Sequence, residues 1–322
     1  MFLKAGPNGT LTVESGNYYM NNAEDSMVYT NGDHVVKIKG GNWTLEKVGK
    51  GNNGCPWIFN AKGQNSLSID VSGGTYNSNV AMQHWIFEVD IMDANGNLGY
   101  IVDNGNGTWT VTGKTAEVGI VNYIDGYKRL NGYATFKDAV AAIKNGDPET
   151  TIQLQKDITV KGQFIGHSYA QKVIIDLNGY KMSSTDKTLT VYRGGTVVTI
   201  QNGTVHGNTT GGTIQVTYGG KLTLGENVTI TSGGSANALK VDANSTLIIA
   251  DDTVKVQGGK ADLIVADGAK VEISAGSFKH PVKEKWCAKG YMPCQHEDGT
   301  YGVMETGVAM IGKVAYGIHW LH

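Results

Sequence analysis

The sequence predicts an all-β chain wound as a right-handed parallel β-helix: a three-sheet solenoid with coils of about 25 residues. Three interleaved series of apolar-x-apolar triplets predict it. The first is Val173-Ile174-Ile175, Val197–Ile200, Leu222-Thr223-Leu224, Leu247-Ile248-Ile249 and Val271-Glu272-Ile273, with starts 24, 25, 25 and 24 residues apart. The second follows polar or small-residue turns and contributes Val205, Ile230, Val254 and Phe278. The third is Leu189-Thr190-Val191, Ile214-Gln215-Val216, Leu239-Lys240-Val241 and Leu263-Ile264-Val265.

Alternation of apolar and polar residues marks strands with one buried face. Three strands per coil, always in the same order, set like over like, so the sheets are parallel and each coil stacks only on its neighbours. The right hand is the default of the fold. Gly194-Gly195, Gly219-Gly220, Gly233-Gly234 and Gly258-Gly259 are expected to supply positive φ at corners.

Taken in order, residues 1–112 form a first module, shortened at its N-terminus. Leu11-Thr12-Val13, Val36-Lys37-Ile38 and Leu67-Ser68-Ile69 are its first-series strands, and Asn17-Tyr18, Asn42-Trp43 and Thr75-Tyr76 its turn-then-aromatic steps. Met27-Val28 and Trp57-Ile58-Phe59 fit the third series, and an insertion lies near Lys50–Cys55. Gly99–Val102 and Thr108–Val111 flank the turn Asp103–Gly107 and read as a hairpin that closes the module. Residues 113–303 form a second, complete module that ends in the same wording, Gly290-Tyr291 and Asp298–Val303. Tyr133, Phe136, Val140 and Ile143 follow a helical period, so a capping helix is expected over 133–145, stopped by Asn145-Gly146 and Pro148. Caps protect the exposed end of a solenoid. The tail 304–322 fits no coil; Val308–Gly312 resembles the start of a further module, and the alternative is an apolar tail that docks on a partner.

Composition narrows the function. The chain has 322 residues, 45 Gly and 5 Pro, 17 % charged residues and net charge −2. Its only arginines are Arg129 and Arg193, so a nucleic-acid partner is not expected. No apolar run reaches membrane-span length. Met1–Lys4 passes at once into strand-like sequence, so no signal peptide is expected there. Three cysteines, Cys55, Cys287 and Cys294, do not make a disulfide framework; Cys287 and Cys294 are the pair that would join in an oxidising site, and three free thiols are the alternative.

Asn131–Phe136 with Asp138-Ala139-Val140, then Ile152-Gln153-Leu154 with Lys156–Thr159, then Ile174–Gly179 resemble pectate-lyase-like β-helix modules in surface proteins of gut bacteria. The likeness covers Asn131–Val303 well and Val71–Val111 in part. It implies an extracellular, repetitive, often non-enzymatic surface protein. Phage fibres and spikes use similar β-helices, usually as trimers, so a virion fibre or decoration protein is the second expectation. A polysaccharide lyase or hydrolase is the third.

Glycosidic hydrolysis needs paired carboxylates. Asp251, Asp252 and His206, followed by Gly207, are the nearest candidates, but the His precedes the Asp pair, the reverse of the order in polygalacturonase-type enzymes. Asp251-Asp252 occupies a turn position, and Arg193, the nearest basic candidate for a lyase, a corner. The remaining histidines, His34, His84, His167, His280, His296, His319 and His322, lack metal-ligand spacing; no metal or other cofactor is expected. Sequons at Asn202, Asn227 and Asn244 need only turn chemistry.

A binding role fits better. Outward positions are rich in Thr, Asn, Ser, Lys and Tyr, which suits glycans. Tyr192 and Tyr218, 26 residues apart in what read as equivalent turns, are expected to form an exposed aromatic ladder, with packing on their own strands as the alternative. Trp85 and Phe87 lie in the non-coil insertion as a second patch, or seal the first module. The expected partners are glycans and the chain itself, as a homotrimer or stacked end to end.

Overall fold

The computed structural model describes residues 3–4, 9–21, 26–31, 35–46, 57–62, 69–80, 89–124, 127–306, 308–311 and 314–317. The described residues form right-handed parallel β-solenoid coils, about nine turns in all, with one short α-helix. It divides into two compact units, 1–135 and 136–322. No described helix is long and apolar enough to cross a membrane.

In the second unit the first sheet stacks Thr150–Leu154, Lys172–Asp176, Val197–Gln201, Lys221–Leu224, Thr246–Ile249 and Lys270–Ile273. The second stacks Ile158–Thr159, Lys181–Ser183, Gly203–Gly207, Val228–Ser232, Lys255–Gln257 and Ser277–Phe278. The third stacks Gln163–Ile165, Leu189–Tyr192, Ile214–Thr217, Asn237–Val241 and Ala261–Val265. Register follows the repeat. Val173, Val198, Leu222, Leu247 and Val271 sit one above another, as do Ile175, Ile200, Leu224, Ile249 and Ile273. All ten are buried. In the second sheet Val205, Ile230, Val256 and Phe278 align. Val256 therefore takes the place expected of Val254, because the Asp251–Thr253 turn lengthens that corner; Val254 is buried within the corner itself.

Corners divide their work between two devices. The residue two before each later strand of the first sheet is left-handed: Gly195 at φ 84°, Gly219 at 85°, Asn244 at 62° and Gly268 at 79°. Asn178, Asn202 and Asn227 take the same conformation (φ 51° to 60°) between the first and second sheets, so two of the three sequon asparagines noted above are these corners and the third, Asn244, is the other. Of the Gly-Gly pairs, only Gly195 and Gly219 have the expected positive φ. Gly258 and Gly259 serve close approach instead: a Cβ would lie 1.8 Å from the Ala261 oxygen and 1.9 Å from the Gly233 oxygen.

The first unit repeats the plan with sheets Leu3–Lys4, Val28–Asn31, Phe59–Lys62; Thr10–Val13, Val35–Ile38, Ile69–Val71, Val89–Ile91; and Asn17–Met20, Asn42–Leu45, Gly74–Tyr76. Val36 pairs with Ile69 and Ile38 with Val71, so the strand lies two residues beyond the expected Leu67-Ser68-Ile69. The shift keeps the alternation and so the same buried face; Leu67 and Ser68, like the insertion at 50–55, fall outside the described residues. Each unit ends its aromatic-bearing sheet with an antiparallel hairpin: Gly99–Asp103 with Trp109–Thr115, set on Tyr76, and Tyr291–Gln295 with Tyr301–Glu305, set on Phe278. Val118–Ile124 and Tyr127–Tyr133 form another hairpin in the first unit, and Val308–Ile311 and Val314–Gly317 pair alike in the tail.

Helix α1 covers Phe136–Ala142, shorter than the expected 133–145. Tyr133 is held in a strand opposite Val118, and the chain turns at 144–147, where the Lys144 amide donates to Asp147 Oδ2. Phe136, Ala139 and Ile143 are buried. The buried Gln171 fixes the helix to the first coil: its side-chain amide donates to the Val140 oxygen at 3.2 Å and its Oε1 accepts the Gly166 amide at 2.9 Å. Tyr169 Oη donates to the Ile143 oxygen.

Candidate functional site

The outward face of the third sheet carries two rows. Phe164, Thr190, Gln215, Lys240 and Ile264 align in one; Tyr192, Thr217 and then Asp242 form the other. Tyr192 thus faces Thr217, and Tyr218 is the next residue, at the corner; the two tyrosines are not at equivalent positions. They nevertheless meet across the corner, where Tyr218 is left-handed at φ 53°, as Arg193 is at φ 78° one coil earlier. Their ring centroids are 4.7 Å apart at 41°. Tyr218 is 70 % exposed, so the ladder is a surface feature rather than strand packing.

Two residues that the sequence reading did not single out extend it. Phe164 lies 6.4 Å from Tyr192 in an edge-to-face arrangement, and His167 lies 5.9 Å from Tyr192 and 5.5 Å from Phe164. Phe164 is 45 % exposed. Gly166 makes this close approach work, since a Cβ there would be 2.2 Å from the Tyr192 oxygen. Arg193 Nη2 donates to the His167 oxygen at 2.9 Å. Arg193 therefore steadies the loop under the platform. Phe164 was legible as the coil-one partner of Thr190; His167 depends on a loop conformation that no spacing encodes.

A polar network borders the rings. Lys187 Nζ donates to Gln215 Oε1, Gln215 Nε2 to Asp242 Oδ2 at 2.6 Å, and Lys240 Nζ lies 3.1 Å from Asp242 Oδ1. Burial, then the charge of Lys240, lowers the Lys187 pKa. Burial pushes Asp242 up, but hydrogen bonds from Gln215, Thr217 and Lys240 outweigh it and leave the carboxyl below its ordinary value. Beside Phe164, a cleft of about 440 Å³ opens between helix α1 and loop 166–171.

The catalytic candidates do not converge. His206 sits on the outer second sheet, its Nδ1 2.8 Å from Thr231 Oγ1, with its pKa lowered by burial and then by Lys181. Asp251 accepts the Thr253 amide and hydroxyl in its own turn, two coils further on. Parallel strands stand about 4.8 Å apart, so two coils already separate the groups by roughly 10 Å. Asp252 is exposed at the same turn, and Arg193 belongs to the third-sheet corner. Among the described residues no group of three or more His, Cys, Asp or Glu is placed to hold a metal.

Among the described residues the one close His–carboxylate pair is Asp262 with His280. Asp262 accepts the Gly258 and His280 amides, both at 2.6 Å, and its Oδ1 is 3.1 Å from His280 Nδ1. A buried carboxylate so occupied fastens successive coils together. Cys287 and Cys294 are free, half-buried thiols, both pushed up in pKa chiefly by burial. Trp85, Phe87, Cys55, His34, His84, His319 and His322 lie outside the described residues.

The fold and the platform define a class: a parallel β-solenoid with an aromatic surface on one sheet. Comparison with protein-family models, curated proteins and solved structures returns no match.

Proposed function

We propose that this chain is a non-enzymatic saccharide-binding β-solenoid that works outside the cell as an adhesin or surface module. The observation that carries it is the run of partly exposed rings, Phe164 and Tyr192 on the third sheet with His167 and Tyr218 beside its strand ends. Sugar rings offer apolar C–H faces and polar edges. Aromatic side chains supply flat area for the first at low entropic cost, and Gln215, Lys240 and Asp242 supply hydrogen bonds for the second. Solenoid strands hold these groups without reorganisation on binding. The resemblance to β-helix modules of bacterial surface proteins supports the extracellular setting.

The test is a glycan array followed by calorimetry on the hits. Tyr218→Ala and Tyr192→Ala should each weaken binding by about 1 kcal/mol or more, while incubation releases no shortened product. Unchanged affinity in both variants, or steady release of cleaved saccharide, would overturn the reading.

A further inference from the structure

We infer that the cleft beside the platform seats the end of the saccharide chain, and that the terminal sugar it takes is acidic. This rests on the saccharide-binding reading above. Phe164 and His167 belong to both platform and cleft, so a chain laid over Tyr218 and Tyr192 is led into it. There the path stops. Helix α1 forms the far wall through Lys137, Val140 and Ala141. The volume, about 440 Å³, lies at the small end of ligand pockets, room for roughly one or two sugar rings.

The lining fixes the charge. Lys137 and Lys161 contribute two ammonium groups, Gln163 and Ser168 are neutral, and no Asp or Glu lines the cleft among the described residues. Neither lysine is in an ion pair with a described residue. A carboxylate, sulfate or phosphate on the terminal ring would meet two cations, with no described carboxylate in the lining to compete for them. The cleft is also built rather than incidental. The buried Gln171 ties the helix to Gly166, so both walls are held before any ligand arrives.

The experiment uses an array of matched sets, each neutral oligosaccharide beside versions capped at the non-reducing end with uronate, sialate or sulfate and versions carrying the same acid on an internal residue. Acid-capped members are expected to bind about tenfold tighter at low salt, with the gain shrinking as salt rises. Lys137→Gln with Lys161→Gln should erase that gain and leave the neutral affinities unchanged; both side chains are exposed, so folding is not at stake. Equal binding of capped and neutral members, with both weakened alike in Tyr218→Ala, overturns the inference and leaves the platform reading standing. A preference that survives the double lysine variant overturns the assignment to this cleft. Equal binding when the acid is internal and both ends are neutral overturns the chain-end seat. Binding of no set at all overturns both readings.

Discussion

The rings of Tyr18 and Trp43 lie 4.1 Å apart and within 18° of parallel, one coil above the other. Tyr76 continues the stack at 6.4 Å and 12° from Trp43. Each ring lies back over a glycine two residues earlier, and its polar tip donates to the carbonyl three residues earlier: Tyr18 to Ser15, Trp43 to Gly40, Tyr76 to Gly73. This explains the repeated glycine-x-aromatic wording. Gly16, Gly41 and Gly74 have φ of 141°, 106° and 115°, and a Cβ on any of them would press on the ring.

Gly74→Ala should therefore destabilise the first unit by about 2–3 kcal/mol, adding backbone strain to a clash with the fully buried Tyr76. Gly105→Ala, at φ 74° with nothing within 4 Å, should cost only about 1 kcal/mol. Urea melts of the two variants check this; equal losses would remove the ring from the explanation.

Ile249 is fully buried between Leu224 and Ile273. Ile249→Asp should cost about 4 kcal/mol or more, because the charge would have no partner in that core. Ile248→Asp, one residue along and facing outward, should cost under about 1 kcal/mol. Thermal melts showing the reverse order would mean that the strand presents its other face.

Asp93 accepts hydrogen bonds from the Thr115 hydroxyl, the Asn97 side chain and the amides of Asn97 and Asn95. These, that of Thr115 first, hold its carboxyl well below the ordinary value of 3.8. The unfolded chain thus takes up the proton first as pH falls. The stabilisation from ionised Asp93 is complete above about pH 5 and fades as pH drops through 3.8 and below. Asp93→Asn should be less stable at neutral pH and lose less stability between about pH 5 and pH 2 than the parent. Parallel pH profiles for the two proteins would contradict this.

Burial first, then the Glu284 charge, raises the Cys287 thiol pKa; burial raises that of Cys294. In a Cys55→Ser background both should be alkylated several-fold more slowly at pH 7.5 than glutathione, since the thiolate is the reacting form. Reaction at the rate of a free thiol would show them exposed. Two equivalents of thiol that appear only after reduction would show them joined.

By itself the sequence determined the solenoid, the inward residues of the first and third strand series from Val173 on, and the two closing hairpins, because a parallel coil leaves an arithmetic trace: Leu222, Leu247 and Val271 recur at the interval that stacks them. It also marked Tyr192 and Tyr218. Only the tertiary structure decided that these rings meet off register, from a strand and the corner one coil on, and that Phe164 and His167 join them. It likewise separated His206 from the Asp251-Asp252 turn. Core positions obey a period because every coil must bury the same face. Surface sites obey none, because corner lengths and loop conformations, which vary from coil to coil, set which outward side chains touch.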